Sequence, residues 1–173
     1  MRRPRTLLLI AAVCAVVGVA IAVAVSTGST SSQHGLGAIG SRFPEVTLDR
    51  IDHGTVTTTS FEGHPLVVTF GASWCAPCRK EYPMLEAART AHPNLQVMGV
   101  LEQDSPSLMR SFMREVGATW PVGDDPDGSV GDRFGITGYP VTFFVDANGY
   151  VRGRRAGISD QATLDRELAK IGA

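Results

Sequence analysis

Cysteine is scarce in this chain: 173 residues carry three of them. Three cysteines with a single close pair exclude a disulfide-stapled scaffold, which needs several even-numbered cysteines. Charge of one sign is also lacking. Sixteen Lys and Arg stand against 17 Asp and Glu, for a formal net charge of −1. That balance removes the electrostatic basis for a nucleic-acid partner. Aromatics make up 7% of residues and are not interleaved with basic runs. No internal repeat is visible. Gly128, Gly131 and Gly135 do not space as a phosphate loop, and no Lys-Ser/Thr follows them. A second CxxC is missing, and His53, His64 and His92 have no paired spacing, so a structural zinc site lacks its four ligands and no metal is expected.

The 173 residues suit one domain plus a tail. Leu7 to Val25 form an unbroken apolar run without charge, preceded by Arg2, Arg3 and Arg5 and followed by no Lys or Arg until Arg42. At about 1.5 Å of rise per residue, a helix of this length crosses a hydrocarbon core of roughly 30 Å. The charge bias leaves the N-terminus in the cytoplasm and sends the remainder outside. A signal peptide has a shorter apolar region, although Ala22-Val23-Ala24 offers small residues for cleavage; the anchor reading is preferred. Cys14 then reads as a small apolar filler facing lipid. The expected organisation is a membrane anchor over residues 1–25, a flexible Ser/Gly-rich tether over 26–42, and an extracytoplasmic domain over 43–173.

Within that domain, Val46–Leu48 and Val56–Thr59 read as short strands around the turn Asp52-His53-Gly54. Leu66–Phe70 and Val97–Leu101 are continuous apolar runs, suited to buried strands. A helix runs from the CxxC through Arg89, with a kink expected at Pro83, which lacks an N–H. Ser105, Pro106 and Gly117 supply the start and stop signals of a second helix ending at Val116. A short helix ends at Phe134. Val141–Val145 and Tyr150–Arg155 flank Ala147-Asn148-Gly149 as a hairpin, and Ser159 precedes a last helix over Gln161–Ile171. Strands that alternate with helices and end in a hairpin imply an α/β fold, a central mixed sheet with helices on both faces.

The chemistry concentrates at Cys75-Ala76-Pro77-Cys78. A cysteine at a helix N-terminus meets unpaired N–H groups and the positive end of the dipole, which favour the thiolate. Cys75 is therefore the expected attacking group, and Cys78, one turn deeper and shielded, the resolving one. Pro77 stiffens the loop, and Trp74 supplies an apolar lip beside Cys75. Gly138-Tyr139-Pro140 immediately precedes a strand, where a proline after a CxxC unit and before a hairpin is expected to be cis.

The segment from Val67 to Cys78, with Pro83 in the following helix, resembles the thioredoxin fold. Glu62-Gly63-His64-Pro65, Cys78-Arg79-Lys80-Glu81-Tyr82-Pro83 and the stretch from Asp104 to Pro121 resemble its TlpA/ResA/CcmG-like branch. The resemblance covers residues 43–173 and implies a redox protein with the following parts. Cys75 and Cys78 form a redox-active disulfide and no cofactor is used. Pro140 faces the cysteines and its loop pairs with substrate backbone, with Tyr139 touching substrate. The protein is a membrane-anchored monomer that exchanges disulfides with protein thiols, served by a membrane electron donor or acceptor. Its direction is reducing, as in cytochrome c maturation. The alternatives are a disulfide-forming oxidase, a copper-delivery chaperone and a thiol peroxidase. One departure concerns proton transfer. Thioredoxin carries a buried Asp six residues before its first cysteine, where this chain has Thr69. Asp104 follows the strand where the branch often has an acid, and burial there would raise its pKa and let it serve Cys78 as proton donor or acceptor. Glu102 reads as the start of a solvated loop, and Glu81 as part of a solvated helix face.

Overall fold

The computed structural model describes residues 36–158 and 160–173. The expected anchor and most of the expected tether lie outside the described residues. Among the described residues no helix is long and apolar enough to cross a membrane.

The elements run β1 (Thr47–Asp49), β2 (Thr55–Thr57), β3 (Leu66–Gly71), α1 (Cys78–Ala91), β4 (Gln96–Glu102) and α2 (Pro106–Val116). They continue with β5 (Val122–Asp125), α3 (Ser129–Phe134), β6 (Val141–Val145), β7 (Val151–Ala156) and α4 (Gln161–Ile171). The main sheet has the order β5-β4-β3-β6-β7, with β3, β4 and β5 parallel and β6 and β7 antiparallel additions. β1 and β2 pair separately as an antiparallel hairpin. The connections β3–α1–β4 and β4–α2–β5 step in one direction across the sheet, so right-handed crossovers put both helices on the same face.

Alternation along the strands divides the core. Val67, Val97, Leu101 and Phe144 pack with Leu85 of α1, Met109 and Phe112 of α2 and Leu164 and Leu168 of α4. Val68, Phe70, Met98, Val100 and Phe143 point the other way, to Val46, Val56, Val130 and Phe134. Each such buried side chain contributes about 1.5–3 kcal/mol relative to exposure. The cysteine pair belongs to the first layer.

Several expectations need correction. Residues 36–42 are not free tether: the Leu36 N–H donates to the Arg133 carbonyl and Gly40 N–H to that of Val151. Phe143 and Phe134 leave no room for a side chain at Gly37. The packed structure therefore begins before Phe43. The second strand stops at Thr57, and Thr58–Phe61 form a 3₁₀ turn in which the Thr58 hydroxyl accepts the Val46 N–H. β5 was not legible as a strand because Val122–Asp125 is short and carries two acids; its pairing with β4 imposes the conformation. The last helix is capped by Asp160, whose carboxylate accepts the Thr163 N–H at 2.8 Å, while Ser159 lies outside the described residues.

Candidate active site

The site sits at the C-terminal ends of β3 and β4, where the chain leaves the sheet and enters α1. Cys75 and Cys78 are joined as a disulfide. Cys75 lies in the turn before the helix, with its N–H donating to Ala72 O. Its sulfur accepts the N–H of Cys78, the first residue of α1, at 3.2 Å. That is the donor geometry expected to stabilise a thiolate at position 75. The expected difference in access is small in this oxidised form: Cys75 is 2% exposed and Cys78 0%.

Trp74 and Tyr139 form the rim. Trp74 is 66% exposed, and its ring meets that of Tyr139 edge-on at 5.5 Å. Tyr139 also packs against the core layer that contains both cysteines. The Tyr139–Pro140 bond is cis and Pro140 is buried. The structure thus brings Trp74, Tyr139, Pro140 and the cysteine pair to one end of the sheet.

Asp104 is placed otherwise than the sequence suggested. Its carboxylate accepts the N–H groups of Ser73 and Ser105, each at 2.7 Å. Burial pushes the carboxyl up, but the hydrogen bonds from the Ser73 hydroxyl, the Ser73 N–H and the Ser105 N–H outweigh it and hold it below the usual carboxylate range. It therefore stays charged and braces the loop before Cys75, in place of the raised-pKa proton carrier expected.

Glu81 is the residue that sequence reasoning missed. It is fully buried, one turn beyond Cys78 on α1. One carboxylate oxygen accepts the Ile158 N–H at 2.8 Å; the other accepts the Thr142 hydroxyl, which lies 3.0 Å from that of Thr69. Burial pushes Glu81 up, while the bonds from Thr142, Ile158 and Thr69 pull it back only in part. Thr69 thus lacks a carboxylate of its own but joins a hydroxyl relay that ends on one. A signal was present in the sequence: Cys78, Glu81, Tyr82, Leu85 and Ala88 recur at helical spacing on one stripe.

Glu102 also departs from expectation. It closes β4 instead of opening a loop and is 3% exposed. Burial, together with the charges of Asp125, Asp132 and Asp127, pushes its carboxyl up to about 8. Among the described residues, no group of three or more His, Cys, Asp or Glu side chains is placed to hold a metal ion.

Comparison with known proteins follows the same lines. The family model described as the AhpC/TSA family matches residues 39–154. The thiol:disulfide interchange protein DsbE of Pseudomonas fluorescens biotype C is 32% identical over 134 residues, which are 76% of this chain and 74% of that protein. The thiol:disulfide interchange protein HelX of Rhodobacter capsulatus is 34% identical over 108 residues, 62% of this chain and 60% of that protein. A crystal structure of a thiol:disulfide interchange protein of the thioredoxin family from Chlorobium tepidum superposes with a TM-score of 0.69 at 25% identity, covering 79% of this chain and 99% of that one.

Proposed function

The chain belongs to the AhpC/TSA family, and from that premise we propose that it is an extracytoplasmic thiol–disulfide oxidoreductase that reduces protein disulfides, as in cytochrome c maturation. The observation that carries the reading is the Cys75–Cys78 disulfide at the N-terminus of α1, with the Cys75 sulfur facing the Cys78 N–H. Relatives named as thiol:disulfide interchange proteins support it.

In this reading the reduced Cys75 thiolate attacks one sulfur of a substrate disulfide and expels the other as a thiolate. A mixed disulfide forms. Cys78 then loses its proton, attacks the Cys75 sulfur and releases the remaining substrate thiol. The substrate gains two electrons, and the Cys75–Cys78 disulfide is left to be reduced by a membrane donor. Glu81, buried one turn from Cys78, is the group suited to take that proton through the Thr142 and Thr69 hydroxyls. Asp104 fixes the Ser73–Cys75 turn. Trp74 and Tyr139 contact substrate at the rim, and the cis-Pro140 loop aligns its backbone. The apolar run from Leu7 to Val25, with its preceding arginines, supports a single-pass cell-membrane anchor for the domain.

The reduction potential of the Cys75–Cys78 couple tests the direction. A reducing role predicts a value near that of thioredoxin, about −270 mV; a value near that of a strong oxidant, about −120 mV, would overturn it.

A further inference from the structure

Glu102 and Asp125 end their strands opposite one another in the β4–β5 register. Register partners on adjacent strands present their side chains on one face. Both are buried, Glu102 at 3% exposure and Asp125 at 1%. Oε1 of Glu102 is buried with no hydrogen-bond partner, and Asp125 is among the groups that push the Glu102 carboxyl up. Asp125 in turn accepts the Val130 and Gly131 N–H groups at the start of α3, each at 3.0 Å. Glu102 presses so closely on Gly131 that no Cβ fits there. Asp127 in the β5–α3 turn, Asp132 on α3 and Tyr139 before β6 also face this pair electrostatically. The residues around it thus supply negative charge, so a second charge on Glu102 would meet repulsion.

The pair is tied to the redox site by backbone. Gln103 has φ 46°, and it is the single non-glycine residue with positive φ among the described residues. Such a conformation persists when its surroundings hold it. Here the Gln103 N–H donates to Asp125 O at 3.1 Å, and its side-chain amide donates to Asp127 O at 3.2 Å. The next residue is Asp104, which grips the Ser73 N–H two residues before Cys75.

We propose that the Glu102–Asp125 pair, clasped by the Gln103 turn, is a positioning device for the redox site. While Glu102 carries its proton, the end of β4 is fixed and Asp104 holds the Ser73–Cys75 loop; loss of that proton sets a second negative charge against Asp125 and loosens the loop. Glu102 touches no reacting atom and acts through Asp104. The proposal rests on the exchange reading for its effect on rate, but not for its structural test.

The structural test uses the oxidised full-length protein, whose disulfide does not titrate. The Glu102 side-chain carboxyl and the Ser73 amide are followed by nuclear magnetic resonance from pH 5 to 10. The proposal predicts one midpoint, near pH 8, shared by both signals. In Glu102→Gln, whose amide is uncharged at every pH, the Ser73 transition disappears. With reduced protein and a small disulfide peptide, the exchange rate of Glu102→Gln relative to the unmodified protein rises several-fold between pH 7 and 9.5. A Ser73 signal that stays flat through the Glu102 titration, a Glu102 midpoint below pH 6, or a rate ratio constant with pH would overturn the proposal. If Glu102→Gln does not fold, the titration of the unmodified protein decides alone. Absence of any exchange by the unmodified protein would defeat the functional reading and leave the titration result standing.

Discussion

Glu81 and Cys78 stand one turn apart on the inner stripe of α1, and their burial makes proton management the central problem of the site. A thiol that must become a nucleophile in a dry interior needs a base within the same interior. Glu81 is placed to meet that need: burial raises its proton affinity, and the Ile158 N–H and the Thr142 hydroxyl fix the position of its carboxylate. Glu81→Gln retains an acceptor and most of the packing, so its thermal stability should stay close to that of the parent. Its resolution step should slow by roughly 10²-fold or more, the ordinary worth of a positioned general base, read by stopped-flow Trp74 fluorescence. Glu81→Ala strands the Ile158 N–H and the Thr142 hydroxyl, and should lose on the order of 2–3 kcal/mol in chemical denaturation. Equal resolution rates in the parent and Glu81→Gln would remove Glu81 from the mechanism. At this scale the sequence was uneven in what it disclosed. Cys75, Cys78, Trp74 and Pro140 stand out in local motifs, and Tyr139 and the position of Asp104 through the family resemblance. The burial of Glu81 and the bracing role of Asp104 do not, because they depend on partners from Thr142, Ile158 and Ser73, far away in the chain.

The C-terminal ends of β3, β4 and β5 carry the working parts, since each strand there hands the chain to a turn whose N–H groups need acceptors. Asp104 serves the turn after β3, and Asp125 serves the start of α3. Gly131 is the point at which α3 meets Glu102, and its missing side chain is what lets the two approach. Gly131→Ala should therefore destabilise the protein despite the better helix propensity of Ala. Overpacking of this kind costs about 1–3 kcal/mol, and a lower thermal midpoint would report it; an unchanged or raised midpoint would show that α3 can shift at no cost. Helices were the most legible elements. Pro106, Gly117 and the spacing of Leu164, Leu168 and Ile171 are local signals, and α2 and α4 end where they say. β5 was invisible because Val122–Asp125 owes its conformation to β4, and the docking of residues 36–42 depends on Arg133 and Val151.

At the largest scale, the described residues join a mixed five-stranded sheet to two core layers, one of which encloses the cysteine pair. This architecture was readable in outline because Leu66–Phe70 and Val97–Leu101 are dominated by apolar residues and the late hairpin announces its turn. The arrangement makes the two cysteines unequal by position rather than by exposure: Cys75 lies in the turn and Cys78 begins the helix. In the proposed reaction Cys75 attacks protein disulfides and Cys78 resolves the product. The most direct measurement is covalent capture by Cys78→Ser under native conditions. Mixed disulfides between Cys75 and substrate proteins should form, be released by dithiothreitol and be absent from Cys75→Ser. Equal capture by Cys75→Ser, or no capture at all while Cys78→Ser still consumes peroxide, would contradict the proposed reaction.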